Sequence, residues 1–484
     1  MGADLTMTDA GAAARLAGER IVVVGLGITG QSVTTLLRKL GAQVTAVDSR
    51  DDTERREIAS RLERDGVAVR LGPDQIGPGA TLPSGTSLVV TSPGLRPDTP
   101  LLAAAVAAGV EVVGDVELAW RLRPVLTDGS RQRWLAITGT NGKTTTVRML
   151  AAMLAAAGHR SVAAGNVGTP ILDVVTDPEP YPVVAVELSS FQLYWSTTIA
   201  PFAAVVLNLA AHHLDWHDDI ESYGAAKARI FAPGTIAVCN AEDPRTVAMA
   251  ERARALARTV AFRLSPPGAN ELGVAGDWLI DNAFGAEVRL AAVSEVQPPA
   301  PHNVADALAA AALARAYGDR PASVSAGLAT FVPEPHRIAL VAELGGVAFI
   351  DDSKASNPAA AAASLASFRS IIWVAGGLFR GSDSDLDGVV AAAAPRLRAA
   401  VLIGTDRARF AGALARHAPD VPVTELDSNQ TDVMDQVVAA ATAVAQRGDT
   451  VLLAPAAQSW DMFRDYPARG EAFAAAVRRL TEPQ

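Results

Sequence analysis

A chain of 484 residues, 49% apolar and 5% aromatic, has material for about three ordinary domains with buried cores. Its net charge of −10 argues against a general nucleic-acid or anionic-membrane binder, while small anionic ligands stay open because local lysines and helix ends govern such sites. The single cysteine, Cys239, excludes an intrachain disulfide and a cysteine metal cluster, and no apolar run approaches membrane-spanning length. The start of the chain is polar and alanine-rich, without a basic head before an apolar core, so the expectation is a soluble, cytoplasmic protein.

The first elements alternate strand and helix. Arg20–Val24 reads as a buried strand, followed by Gly25-x-Gly27-x-x-Gly30 and a helix through Leu40. A second strand, Gln43–Val47, ends in Asp48, the spacing of a dinucleotide fingerprint with its acid at the second strand's tip. Hydride transfer is the default reading of such a turn, but any pyrophosphate, including that of a nucleotide sugar, fits the same geometry. Ser87–Thr91 is a further strand, stopped by Pro93-Gly94, and helix Leu101–Ala108 and strand Val110–Val113 follow.

The segment from Trp134 to Thr146 carries the strongest chemistry. A strand runs into Gly139-Thr140-Asn141-Gly142-Lys143-Thr144-Thr145 and then into a helical pattern. A strand feeding a glycine turn at a helix start aims backbone N–H groups at one place; Lys143 adds a charge and Thr144 a hydroxyl suited to magnesium. The eight-residue P-loop pattern is incomplete, since Ile137 stands where its first glycine would be. Further strands are expected at Val183–Glu187, Ala203–Leu207 and Thr235–Cys239, and a long alanine-rich helix at Val304–Tyr317 with His302 and Asn303 at its start. Pro333 and Pro335 mark a hinge before a last block with strands at Val347–Ile350, Ser370–Ala375, Ala399–Ile403 and Thr450–Ala454. The expected fold class is α/β in three consecutive domains: a Rossmann-like domain over residues 1–122, a central P-loop-type ATPase sheet over 123–334 and a Rossmann-like domain over 335–484.

Ligands of open parallel sheets sit beyond the carboxyl ends of the strands, and polar residues collect there. Glu187 ends an apolar strand and can hold a magnesium already bound by Thr144. His212, His213, Asp215 and His217 crowd one loop, either as a metal site or as solvated histidines. Lys227 follows in a helix, where a surface role is the ordinary one. Asp351–Asn357 is too polar for a plain turn, and Arg380 after Gly376-Gly377 can grip a carboxylate.

Together these pieces resemble the Mur ligase family, ATP-dependent amino-acid ligases of peptidoglycan synthesis. The resemblance rests on Gly139–Thr145, Gly165-Asn166-Val167-Gly168, Glu187-Leu188-Ser189-Ser190, His213-Leu214-Asp215, His302-Asn303 and His336-Arg337, in the family's order. Gly25–Gly30, Asp351–Asn357 and Ser459–Phe463 look most like the member that adds D-glutamate. The resemblance implies UDP-N-acetylmuramoyl-L-alanine and D-glutamate as substrates, an acyl-phosphate route and a monomer without nucleic-acid partners or membrane insertion. It implies ATP at Gly139, Thr140, Asn141, Gly142, Lys143, Thr144, Thr145, Asn303, Arg337 and Asp352. Arg337 and Asp352 are expected from the last domain, so closure is expected as well. Thr144 and Glu187 would hold one Mg2+, and His213 with a carbamylated Lys227 a second; Lys143, His213 and Lys227 are the implied catalytic residues. Thr29, Asp48, Ser49, Arg50, Gly94 and Asn166 match the UDP-substrate positions, and Ser356, Arg380, Ser459 and Tyr466 the D-glutamate positions. Three positions depart from the family's usual residues: His212 replaces an acid, Arg380 a lysine and Tyr466 a phenylalanine.

Overall fold

The computed structural model describes residues 10–427 and 433–480, so the polar start of the chain up to residue 9 lies outside the described residues. The chain divides into two compact units, Met1–Val293 with Ala305–Thr330, and Ser294–Val304 with Phe331–Gln484. The division at Thr330 falls just ahead of Pro333 and Pro335.

The first unit contains two sheets. The smaller has the order Ala68–Leu71, Gln43–Asp48, Arg20–Val24, Leu88–Thr91, Glu111–Gly114, with all strands parallel. Its central strands are runs of buried valine, isoleucine and leucine between Arg20 at the start of one and Thr91 at the end of the other, as in a parallel sheet covered on both faces. The order reverses direction at Arg20–Val24, which opens a crevice beyond the carboxyl ends of that strand and Leu88–Thr91. The larger sheet has nine strands, with Arg133–Thr138 between Ala203–Val206 and Val183–Glu187. That placement sets the turn after Thr138 beside both Glu187 and Asn208.

The far side of this sheet was not expected. Strands Arg258–Phe262, Glu271–Ala275, Trp278–Asp281 and Val288–Ala292 extend it, the last two antiparallel, so the sheet is mixed. The long helix also starts earlier than expected: it runs Pro301–Tyr317, with proline at its first position, and His302 and Asn303 lie in its first turn.

A buried acid ties the two sheets of this unit together. Helix Asp115–Leu122 leaves the small sheet, and Glu117 on it is fully buried. Its carboxylate accepts from the backbone N–H groups of Thr197 (2.9 Å) and Thr198 (3.0 Å), from the Thr198 hydroxyl, and from Arg121 Nε at 2.8 Å. Trp195 reinforces the seam by donating Nε1–H to the Leu95 carbonyl at 3.2 Å.

The second unit has one sheet in the order Ala339–Leu344, Val347–Asp351, Thr450–Leu453, Ile371–Gly376, Leu397–Ile403, Val423–Glu425. It is parallel except for its first, antiparallel edge strand, and apolar clusters fill both faces. Three adjacent strands therefore end in the Asp352 loop, the loop through Ser459 and the Gly376-Gly377 turn.

Glu117→Ala leaves two N–H groups, the Thr198 hydroxyl and Arg121 Nε without their acceptor, and should cost about 2–4 kcal/mol in unfolding free energy measured by denaturant titration. Burial works to raise the Glu117 pKa, but its Thr198 and Arg121 bonds win and hold it below the ordinary 4.5. The carboxylate's contribution is thus fully present above pH 4.5 and lost as pH falls through the lower folded value, where wild type and Glu117→Gln should converge.

Candidate active site

The turn after strand Arg133–Thr138 is held from several directions. Gly142 adopts φ +84°, and a Cβ there would lie 2.3 Å from Asp306 Oδ1, so backbone and space both demand glycine. Asn208 braces the loop: its Oδ1 accepts from the N–H groups of Thr140 (3.2 Å) and Asn141 (2.9 Å), and its Nδ2 donates to the Asn141 carbonyl at 3.1 Å. Helix Lys143–Ala156 starts immediately afterwards, with Gly142 as its N-cap residue. Its first N–H groups and positive end are the elements of an anion site.

Around this turn the expected residues come together. Thr144 donates its hydroxyl to Glu187 Oε2 at 2.9 Å, and Asn166 donates Nδ2–H to the other carboxylate oxygen at 3.0 Å. Asn166, expected among the UDP-substrate positions, thus stands on the Glu187 carboxylate. Lys143 Nζ donates to the carbonyls of Gly139 (3.1 Å) and Thr140 (2.8 Å). Lys227 is no surface lysine: it is buried, donates to the same Gly139 carbonyl at 2.8 Å, and approaches Thr138 Oγ1 at 3.3 Å. Burial first, and the Lys143 charge second, push its pKa well below 10.5. Asn208 and Tyr223, whose hydroxyl meets Thr140 Oγ1 at 3.3 Å, belong to the same cluster and were missed in the sequence. An asparagine just past a strand was the only local signal for the first.

The histidine loop lies against this cluster. His213 adopts φ +55°, its ring lies 3.8 Å from that of His212, and it packs on Phe191 at 4.8 Å. Burial, then the His213, Lys143 and Lys227 charges, lower His212 to about 3; His213, which is more exposed, is lowered to about 4 by desolvation and the two lysines against the opposing Asp215 charge. His217 stacks on Phe191 and pairs its Nε2 with Ser190 Oγ at 2.9 Å, an architectural role. Among the described residues no group of three or more His, Cys, Asp or Glu is arranged as a metal cage. Thr144 and Glu187 nevertheless offer hard oxygen donors at the anion-binding turn, which suits Mg2+, an ion that takes few protein ligands and completes its shell with phosphate and water.

In the small sheet, the Asp48 carboxylate is engaged by protein. One oxygen accepts from Leu26 N–H at 2.6 Å, the other from Arg50 N–H at 2.8 Å, and Arg55 Nε lies 3.5 Å away. Asp48 thereby fixes the glycine-rich turn to the second strand's tip. Thr29 lies in the first turn of helix Ile28–Lys39, and Ser49 and Arg50 are exposed beside Asp48. Gly94 is exposed at the neighbouring strand end, its carbonyl accepting from Trp216 Nε1 at 3.1 Å.

The second unit gathers the remaining residues. Ala456 N–H donates to the Ala355 carbonyl at 2.8 Å, and Leu378 and Gln458 exchange two backbone bonds of 3.0 Å. These cross-links bring together the loops carrying Ser356, Ser459 and Arg380. Arg380 is exposed over the Trp460 ring at 5.6 Å, and Tyr466 lies beneath Lys354 Nζ at 3.8 Å. Asp352 is buried, which raises its pKa to about 6, and accepts weakly from Ile338 N–H at 3.4 Å. Arg337 donates Nε–H to Glu334 at 2.8 Å, and Asn303 donates to the Pro298 carbonyl at 3.0 Å.

Comparison with known proteins gives a consistent picture. Residues 19–114 match the Mur ligase MurD-like N-terminal domain, 137–314 the Mur ligase middle domain and 336–457 the Mur ligase glutamate ligase domain. The chain is 54% identical to the UDP-N-acetylmuramoylalanine–D-glutamate ligase of Thermobifida fusca over 96% of this chain and 99% of that one. It is 52% identical to the ligase of the same name from Streptomyces coelicolor, over 96% and 98% of the two chains. A pseudomurein peptide ligase type C from Methanothermus fervidus shares the fold, with a TM-score of 0.57 at 18% identity over 96% of this chain and all of its own.

Proposed function

Because the chain belongs to the Mur ligase family, we propose that it joins D-glutamate to UDP-N-acetylmuramoyl-L-alanine with cleavage of ATP to ADP and phosphate, in peptidoglycan precursor synthesis. One juxtaposition carries the chemical part of this reading: Thr144 and Glu187 in contact at the helix start that also presents Lys143. A carboxylate is a poor electrophile, so an amide bond requires its activation. Transfer of the γ-phosphoryl group to the alanyl carboxylate forms an acyl phosphate and releases ADP. The D-glutamate amine then adds to the acyl carbon, and the tetrahedral intermediate expels phosphate and loses a proton to leave the amide. Such chemistry depends on positioning and on neutralising charge on oxygen.

In this reading residues 139–145 cradle the phosphates and Lys143 neutralises the transferring group. Asn303, Arg337 and Asp352 bind the rest of the nucleotide. Thr144 and Glu187 would hold one Mg2+, and His213, as a neutral imidazole, with Lys227 a second. Bound there, the cations would supply Lewis-acid stabilisation of the phosphate and carboxylate oxygens. A bare ammonium at Lys227 would oppose a cation. Its lowered pKa makes the free amine accessible, and that amine can add to CO2, losing a proton, to give an anionic carbamate ligand. Thr29, Asp48, Ser49, Arg50, Gly94 and Asn166 serve the UDP-substrate, with Asp48 acting through the turn it fixes. Ser356, Arg380, Ser459 and Tyr466 receive D-glutamate. No helix among the described residues is long and apolar enough to cross a membrane. The ATP and nucleotide-sugar substrates support work in the cytoplasm, and one chain supplies every residue assigned, as a monomer would.

The assignment is tested by phosphate release with UDP-N-acetylmuramoyl-L-alanine and a panel of amino acids. D-Glutamate should exceed L-glutamate, L-alanine and diaminopimelate by orders of magnitude; equal rates would refute the substrate. Lys227→Ala should lose most turnover and regain part of it with millimolar short carboxylic acids, whereas a fully active variant would remove the carbamate from the account.

A further inference from the structure

The sequence around the double-proline segment contains a histidine that the reading above leaves without work. His336 precedes Arg337, and the two residues flanking that arginine both have left-handed backbones, φ +62° at His336 and +47° at Ile338. Histidine visits this region more often than most side chains, but a β-branched isoleucine hardly does, so surrounding contacts must hold the turn. Those contacts converge on one strand end. His336 Nδ1 pairs with Asp351 Oδ2 at 2.6 Å, Lys354 N–H donates to the His336 carbonyl at 3.2 Å, and Ile338 N–H points to Asp352 Oδ1. The second Asp351 oxygen is occupied by Ser353 N–H at 2.9 Å.

Helix Tyr466–Arg479 closes over the pair. A Cβ on Gly470 would lie 2.2 Å from His336 Nδ1 and 2.6 Å from Asp351 Oδ2, so that helix touches both partners where it has no side chain. The preceding residue, Arg469, is fully buried and locks the helix in place. It donates to Ser353 Oγ (2.9 Å), the Ser353 carbonyl (2.8 Å) and the Ala457 carbonyl (3.0 Å).

We propose that the His336–Asp351 pair is a positioning device that sets the left-handed turn presenting Arg337, and so governs affinity for ATP rather than the rate of the chemical step. The proposal rests on the reading that Arg337 meets the nucleotide. The groups facing His336 are Asp351 on the adjoining strand end, Asp465 and Glu471 at the start of the covering helix, and the Tyr466 ring at 6.4 Å. The Asp351 hydrogen bond raises the histidine above its ordinary 6.5 against the opposing effect of burial, with the Asp351, Glu471 and Asp465 charges adding to the rise. The charged pair is therefore complete below pH 6.5 and lost as pH climbs through the higher folded value.

The experiment measures kcat and the KM for ATP from pH 6 to 9 in the full chain, about where a raised histidine titrates, for wild type, His336→Gln, Asp351→Asn, Gly470→Ala and Arg337→Ala. Wild-type KM for ATP should rise with pH. His336→Gln and Asp351→Asn should raise it about five- to tenfold near neutral pH, as for the net loss of one ordinary hydrogen bond, with kcat nearly unchanged. His336→Gln should also flatten the pH dependence, and its KM for D-glutamate should stay at the wild-type value. Gly470→Ala, which crowds the pair without removing either partner, should reproduce the KM shift and keeps the test available if a polar variant fails to fold. If Arg337→Ala raises the KM for ATP while these variants keep wild-type values and pH profile, the positioning role is overturned and the nucleotide site stands. If Arg337→Ala itself leaves the KM unchanged, the nucleotide reading fails and the proposal with it. A fall in kcat at constant KM would also overturn it.

Discussion

Two lysines donate to one carbonyl. Lys143, from the helix start, and Lys227, from a separate helix, both reach the oxygen of Gly139, at 3.1 and 2.8 Å. Like charges brought this close in a buried setting are costly unless anions share the space or one group gives up its proton. The site is built for both outcomes. The glycine turn and helix start carry the backbone N–H groups and positive end that suit phosphate, and burial together with Lys143 drives Lys227 toward its neutral amine. Glu187, Thr144 and the histidine loop gather around this concentration of positive charge.

Sheet order does most of the holding. Arg133–Thr138 lies between the strands that end near Glu187 and Asn208, so a carboxylate and a brace reach the same turn from opposite sides. In the small sheet the reversal of strand order opens the crevice where the glycine-rich turn lies, and Asp48 fixes that turn by accepting from Leu26 and Arg50. That use of both carboxylate oxygens also weighs against the dehydrogenase reading, in which an acid at this position would be offered to a ribose. In the second unit, backbone bonds between Ala355 and Ala456 and between Leu378 and Gln458 tie three loops into one surface.

Local features were legible in the sequence. The turn Gly139–Thr145, the acid closing a valine strand at Glu187 and the glycine-rich turn at Gly25 are each written within about ten consecutive residues, where hydrophobic pattern and turn chemistry speak directly. Long-range features were not. Asn208 reads as an ordinary loop residue until strand order sets it against Thr140. Lys227 reads as a surface lysine because helix Ile220–Ala228, with small residues on either side of that lysine, gives no sign of which face is buried. The strands from Arg258 to Ala292 are short and interrupted by glycines and polar turns, so their pattern is weak beside that of the valine strands. The helix expected from Val304 begins at Pro301 because proline's fixed φ suits a first helical turn, a signal overlooked in favour of the alanine run.

The central claim is that this turn activates a carboxylate by phosphorylating it. The direct test uses UDP-N-acetylmuramoyl-L-alanine with 18O in the alanyl carboxylate, turned over with D-glutamate and ATP, and mass analysis of the released phosphate. Acyl-phosphate formation predicts that one labelled oxygen appears in each phosphate formed from fully labelled acceptor, because the bridging oxygen leaves with phosphorus. Phosphate free of label, with both labelled oxygens accounted for outside it, would contradict the account.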